Sequence, residues 1–104
     1  MHARVWQVRI RPGKAADFKA ALQSLYPQAQ RQPGYRGGVA LTSGTDSTPE
    51  VTIVSIWNTL DEMRASERNM FVMQAISRVL GCCDGFPEIT EREVLDRDWF
   101  AGTP

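Results

Sequence analysis

Few side chains in this 104-residue sequence belong to the types that do chemistry, and they are scattered. Cys82 and Cys83 stand side by side, which fits neither a disulfide framework nor the spacing of a zinc site. They read as small half-buried thiols at a helix end, or as a vicinal redox pair. The sole histidine is His2. Tyr26 could supply a proton, or pack as core on an apolar helix stripe. Arg64 could balance an oxyanion, or pair at helical spacing with Asp61 or Glu67. Trp57 offers an indole N–H to an oxygen, or packs as core. Trp6, Phe18, Leu22 and Phe71 would make apolar and aromatic walls. No Asp, Glu or His is placed as an evident general base. Phosphate-binding loops, dinucleotide glycine fingerprints, serine elbows and calcium loops are all missing from the sequence. These residues suit an apolar pocket in which one or two donors meet a ligand oxygen.

Composition narrows the setting. The length predicts one domain, residues 1–104, large enough to bury a real core without staples. Twelve basic and twelve acidic side chains balance, which argues against a nucleic-acid partner. No apolar run approaches the roughly 20 residues of a membrane span. Arg4, Arg9 and Arg11 interrupt any leader-like start, so a cytoplasmic setting with no membrane partner is expected. The charge is uneven: the first third is basic, and residues 84–98 are acidic. A first strand lying beside the last would bring the two together, with Arg9 and Arg11 facing Glu91 and Glu93.

The elements that must position these groups follow from periodicity. Residues 3–11 alternate, with Trp6, Val8 and Ile10 on one face, until Pro12-Gly13 ends the strand. Phe18, Leu22, Leu25, Tyr26 and Ala29 then recur at helical spacing to about Gln32. Pro27 predicts a kink or an early end there. Residues 35–42 read as a second strand, with a bulge or close approach at Gly37-Gly38. Residues 43–50 are a turn-rich connection, and 51–57 are a strand apolar on both faces.

Thr59 and Glu62 match a capping box opening a second helix, interrupted near Ser66 to Asn69 and closed by Gly81. Its Met63, Met70 and Met73 would give an adaptable lining or plain core. Residues 88–96 alternate again as a last strand, and Trp99-Phe100 would pack on a neighbour. The order β-α-β-β-α-β predicts an α+β, ferredoxin-like split βαβ fold: a four-stranded antiparallel sheet with helices on one face. The other face of that sheet would be apolar and uncovered, which predicts a homodimer packed sheet to sheet.

Three features together resemble the antibiotic biosynthesis monooxygenase family of dimeric α/β barrels. These are Pro33-Gly34-Tyr35-x-Gly37-Gly38, Trp57-x-Thr59-Leu60-Asp61-Glu62, and the element order, covering about residues 3–97. The resemblance implies two sheets paired into a barrel, with a pocket in each protomer between sheet and helices. Some members of that family oxidise polycyclic phenols with O₂ without flavin, metal or haem, and others cleave haem. Trp57 matches the family's tryptophan at the end of the third strand. Haem-cleaving members carry an asparagine where this chain has Trp6, and a helical histidine for which residues 71–76 offer no match. The polar positions of the phenol-oxidising members fall on Ile53 and Met63. The resemblance therefore implies a cofactor-independent monooxygenase for a small aromatic or polyketide-like metabolite, with no metal and no cofactor. Trp57 would be its catalytic residue, and Trp6, Phe18, Leu22, Tyr26, Arg64 and Phe71 would line its pocket. Other uses of the scaffold are a non-catalytic barrel that binds a hydrophobic small molecule or a partner protein, and a non-oxidative enzyme.

Overall fold

Alternating side chains give the sheet its register. In the computed structural model, which describes residues 1–44 and 49–98, four strands form one antiparallel sheet in the order β2-β3-β1-β4. They are β1 (His2–Arg9), β2 (Tyr35–Gly44), β3 (Pro49–Trp57) and β4 (Glu88–Glu93). Helices α1 (Ala15–Gln30), α2 (Leu60–Ser66) and α3 (Met70–Gly81) complete the ferredoxin-like fold. Val8 lies opposite Val51, and both are buried with Ile10, Phe18, Leu22, Val79 and Cys83 in one core cluster. Each such apolar side chain contributes about 1.5–3 kcal/mol on burial. The opposite parity, Val5 opposite Val54 and Val54 opposite Val39, lies on the other face of the sheet.

Several boundaries differ from the sequence pattern, each for a local reason. The first strand ends at Arg9, because Ile10 N–H turns to Pro49 O and Arg11 N–H to Cys82 O. The last strand stops at Glu93 where its partner runs out: Glu93 faces His2, and Val94 N–H bonds Met1 O. Helix α1 continues through Pro27, which is exposed, to Gln30. The second helical stretch is two helices. Thr59 accepts from Glu62 N–H to open α2, and Asn69 Oδ1 accepts from the N–H groups of Phe71 and Val72 to open α3. Gly81 is simply the last residue of α3, and the turn beyond it falls to Gly85 at φ +80°. A register shift between Tyr35 and Gly37 is the bulge expected there.

The charge pairing of first and last strands exists, but not between the expected residues. Arg4 lies opposite Glu91, and His2 opposite Glu93. Arg9 instead pairs with Glu50 at 3.1 Å, and Arg11 Nε donates to Cys83 O. Cys82 and Cys83 are both free thiols, and Cys83 is buried with its S–H on Val79 O. Burial pushes the Cys83 thiol up, Cys82 adds to the rise, and Arg11 works against it. Of the methionines, Met63 is fully buried, whereas Met70 and Met73 are exposed on α3. Residues 45–48 of the expected connection, and Trp99-Phe100, lie outside the described residues.

Candidate active site

The space between sheet and helices is filled at one end and hollow at the other. A cavity of about 80 Å³ lies beneath α1 and α3 at the end of the sheet where β3 finishes. Its walls explain it: Ala29 of α1, Gly38 of β2, Ser55 of β3 and Ser66 of α2 are small, and no larger group closes the gap among them. Trp6, Leu25, Ile53, Met63, Val72 and Ile76 make the remaining surface mostly apolar. Tyr26, Tyr35, Arg4 and Glu67, with Ser55 and Ser66, are the polar residues of the lining.

Trp57 is buried at the cavity wall and has its donor engaged. Its Nε1–H donates to Ser55 Oγ at 3.0 Å, and its ring stands edge-on to Tyr35 with centroids 5.1 Å apart. Tyr35 in turn requires Gly38, because a Cβ there would stand 3.0 Å from the tyrosine oxygen and 2.8 Å from Val54 O. The phenols of Tyr26 and Tyr35 are raised above their ordinary value by burial, and Tyr35 is raised further by Tyr26. Both therefore stay protonated and able to donate across the physiological range.

A buried arginine supplies the polar end. Arg4 is 9% exposed and lies between two carboxylates. Nη1 meets Glu67, and Nη2 donates to Glu91 at 2.7 Å. Glu91 also accepts from Arg64 at 3.1 Å, so the four charges form one neutral network. Arg4 Nε has no partner, although it is buried. A buried donor left without a partner costs about 1–3 kcal/mol, so this atom stands out.

The structure brings three of the expected residues to the cavity: Trp57, Trp6 and Tyr26. Phe18 and Leu22 lie instead in the packed core, one to two turns back along α1. Arg64 is half exposed on α2 and reaches Glu91 rather than Asp61 or Glu67. Phe71 is 63% exposed and faces a shallow surface groove between α1 and α3. Sequence reasoning missed Arg4, Tyr35, Ser55 and Glu67 at the cavity. The signal for Arg4 was present: it shares the parity of Trp6, Val8 and Ile10, which places it on the inward face. Among the described residues, no group of three or more His, Cys, Asp or Glu side chains could hold a metal ion. No described helix is long and apolar enough to cross a membrane.

Comparison with known proteins places the fold and the family. Residues 1–75 match the family model described as antibiotic biosynthesis monooxygenase. No curated protein matches the sequence. Among solved structures, the chain is similar to a Bordetella bronchiseptica protein that carries the same family name. The two are 21% identical, with a TM-score of 0.79 over 90% of this chain and 96% of that one. It is also similar to a protein of unknown function from Nitrosomonas europaea, at 19% identity and a TM-score of 0.77, covering 97% and 95%. SnoaB, a cofactor-independent oxygenase from Streptomyces nogalater, is 15% identical with a TM-score of 0.71, covering 97% and 98%. At these identities the likeness is one of fold.

Proposed function

The chain belongs to the antibiotic biosynthesis monooxygenase family, and on that premise we propose a cofactor-independent monooxygenase that oxidises a small aromatic or polyketide-like metabolite with O₂. The observation that supports this reading is the cavity itself: apolar, walled by Trp6, Tyr26, Tyr35 and Trp57, with few polar groups. Such a site holds the anion of an electron-rich ring, excludes bulk water, and leaves donors for the oxygen atoms. In the balanced reaction a ring CH₂ becomes C=O. One atom of O₂ enters the carbon, and the other leaves as water with the two hydrogens. The four electrons lost by the substrate are those O₂ takes up. Trp57 acts at the site through Ser55, which its indole holds in place, while Trp6 and Tyr26 contact the ring. Phe18 and Leu22 support the site from the core, and Arg64 anchors Glu91 beside Arg4.

The assembled form would be a single-domain protomer paired with a second copy, in the cytoplasm. On the open sheet face Val39 is 48% and Leu41 55% exposed, next to Val5, Val54 and Ile56. Such a face is covered most simply by its own copy, packed isologously. Light scattering is expected to give twice the 11.7 kDa chain mass at micromolar concentration, and Val39→Asp to give the monomer. A monomeric wild type would overturn the pairing.

Oxygen uptake tests the activity, with purified metal-free protein against anthrones, hydroquinones and dihydroxynaphthalenes. Uptake above a heat-killed control is the expected result. Uptake no greater than the control across the panel would move the reading to a barrel that binds a hydrophobic small molecule without turnover. One observation favours that second reading: the carboxylate at the cavity, Glu67, is already paired with Arg4 and is a poor general base. Native mass spectrometry of the purified protein would then find the bound molecule.

A further inference from the structure

We propose that Arg4 Nε–H and the Ser55 hydroxyl form a two-donor site for one carbonyl-type oxygen, a conjugated ketone or its enolate, on an apolar aromatic ligand. The inference rests on reading the cavity as the ligand site. Arg4 and Ser55 are direct cross-strand partners on β1 and β3, so their side chains rise from the same face of the sheet as neighbours. Both line the cavity.

Each donor is left over by its own surroundings. The two terminal nitrogens of Arg4 are taken by Glu67 and Glu91, which fixes the guanidinium plane and leaves Nε–H buried without an acceptor. Ser55 Oγ accepts from the Trp57 indole, so its own hydrogen is the part free to turn to a ligand. A hydroxyl that accepts from one side and donates to the other is held in direction by its partner. The tryptophan thereby aims the serine.

The charges select the class of oxygen. Arg4 and Arg64 are balanced by Glu67 and Glu91, so the network has no positive charge to spare. A carboxylate entering beside those two carboxylates would meet repulsion with no free cation to answer it. A neutral ketone oxygen, or an enolate whose charge spreads into a ring, takes both hydrogen bonds without that cost. The apolar walls beyond, Trp6 and Ile53 among them, receive the ring.

The test uses the purified protein with 1-indanone and indane, which differ by the one oxygen, and reads quenching of tryptophan fluorescence. Arg4→Lys keeps the charge between the two carboxylates and removes the N–H at the Nε position. It is expected to lower the ratio of 1-indanone to indane affinity about tenfold, and Ser55→Ala about threefold, with indane affinity little changed. Indane-1-carboxylate is expected to bind more weakly than 1-indanone, and tighter binding would overturn the assigned class. An unchanged ratio in both variants, or no binding of either probe to the wild type, would overturn the site.

Should a variant fail to fold, infrared spectroscopy on the wild type decides. The carbonyl stretch of bound 1-indanone is expected below its frequency in hexane, and a frequency equal to that in hexane would overturn the proposal. The two readings fail separately. Absent oxygen uptake with an intact ketone preference removes the oxygenase alone, and a lost preference with intact uptake removes this site alone.

Discussion

One strand, β1, serves two regions of opposite character. Its second half, Val8 with Ile10 just beyond, is packed against Phe18, Leu22 and Val79 with nothing left open. Its first half, Arg4 and Trp6, borders a cavity. Helices α1 and α3 cover both ends and α2 joins them only at the hollow one, so much of the difference lies in side-chain size. At the filled end α1 sends down Phe18 and Leu22, and at the hollow end it offers Ala29. The sheet repeats the change, from Val51 to Ser55 along β3 and to Gly38 on β2. A cavity in this fold is thus a matter of four small residues rather than of backbone. Stability and binding should separate along one strand.

Phe18→Ala should break the comparison hardest, by hollowing the filled end. Loss of that buried ring is expected to cost about 3–5 kcal/mol, read as the shift in urea midpoint at unchanged slope. A cost below about 1 kcal/mol would mean that the core does not depend on this end. Ala29→Leu does the reverse and fills the hollow end. It should abolish ligand quenching of tryptophan fluorescence, a loss of more than tenfold in affinity, while stability moves by only about 1 kcal/mol. Retained binding would place the ligand elsewhere.

Trp57→Phe sharpens the contrast further, since it keeps the ring and removes the N–H that holds Ser55. Turnover in the oxygen assay should fall about tenfold, or 1.4 kcal/mol in barrier, with the fold intact by circular dichroism. Unchanged turnover would make Trp57 a packing residue alone. The smallest effect is in alkali. Tyr26, Tyr35 and Cys83 all hold their protons more tightly folded than unfolded, so the native state binds more protons above the unfolded values of 10.0 and 9.0. Stability should therefore be level at neutral pH and decline as pH rises past about 9. Tyr35→Phe should make that decline shallower, which urea titrations at pH 8 and pH 10.5 would show.

Much of the fold was readable because period is a strong signal. The alternation through Trp6, Val8 and Ile10, the helical stripe of α1 and the Thr59 box each predicted the element found. Register was less readable, because the charge census alone could not say which arginine of β1 meets Glu91. Arg4 does, and it stands five residues before Arg9 and seven before Arg11, on the opposite face of the strand. The cavity was legible in its aromatic walls, Trp6, Tyr26 and Trp57. Its polar end was legible only in the inward parity of Arg4, since Glu67 looks in sequence like an ordinary surface charge. Phe18 and Leu22 share the helical face of the lining residues of α1, and spacing fixes a face but not a depth. Phe71, by contrast, lies off the buried face of α3 that Val72, Ala75 and Val79 make.

The contact between Arg4 and Glu91 spans 87 positions. Arg4 lies on β1 and Glu91 on β4, so during synthesis the carboxylate follows all the other described elements of the fold. The helices, the β2–β3 pair and the packed core can form before then. Until β4 docks, Arg4 lacks one of its two carboxylates and the cavity lacks its finished polar end. On the proposed reading, the polar end of the ligand site is complete only once β4 has docked, and removing β4 takes away Glu91 together with the ladder it shares with β1.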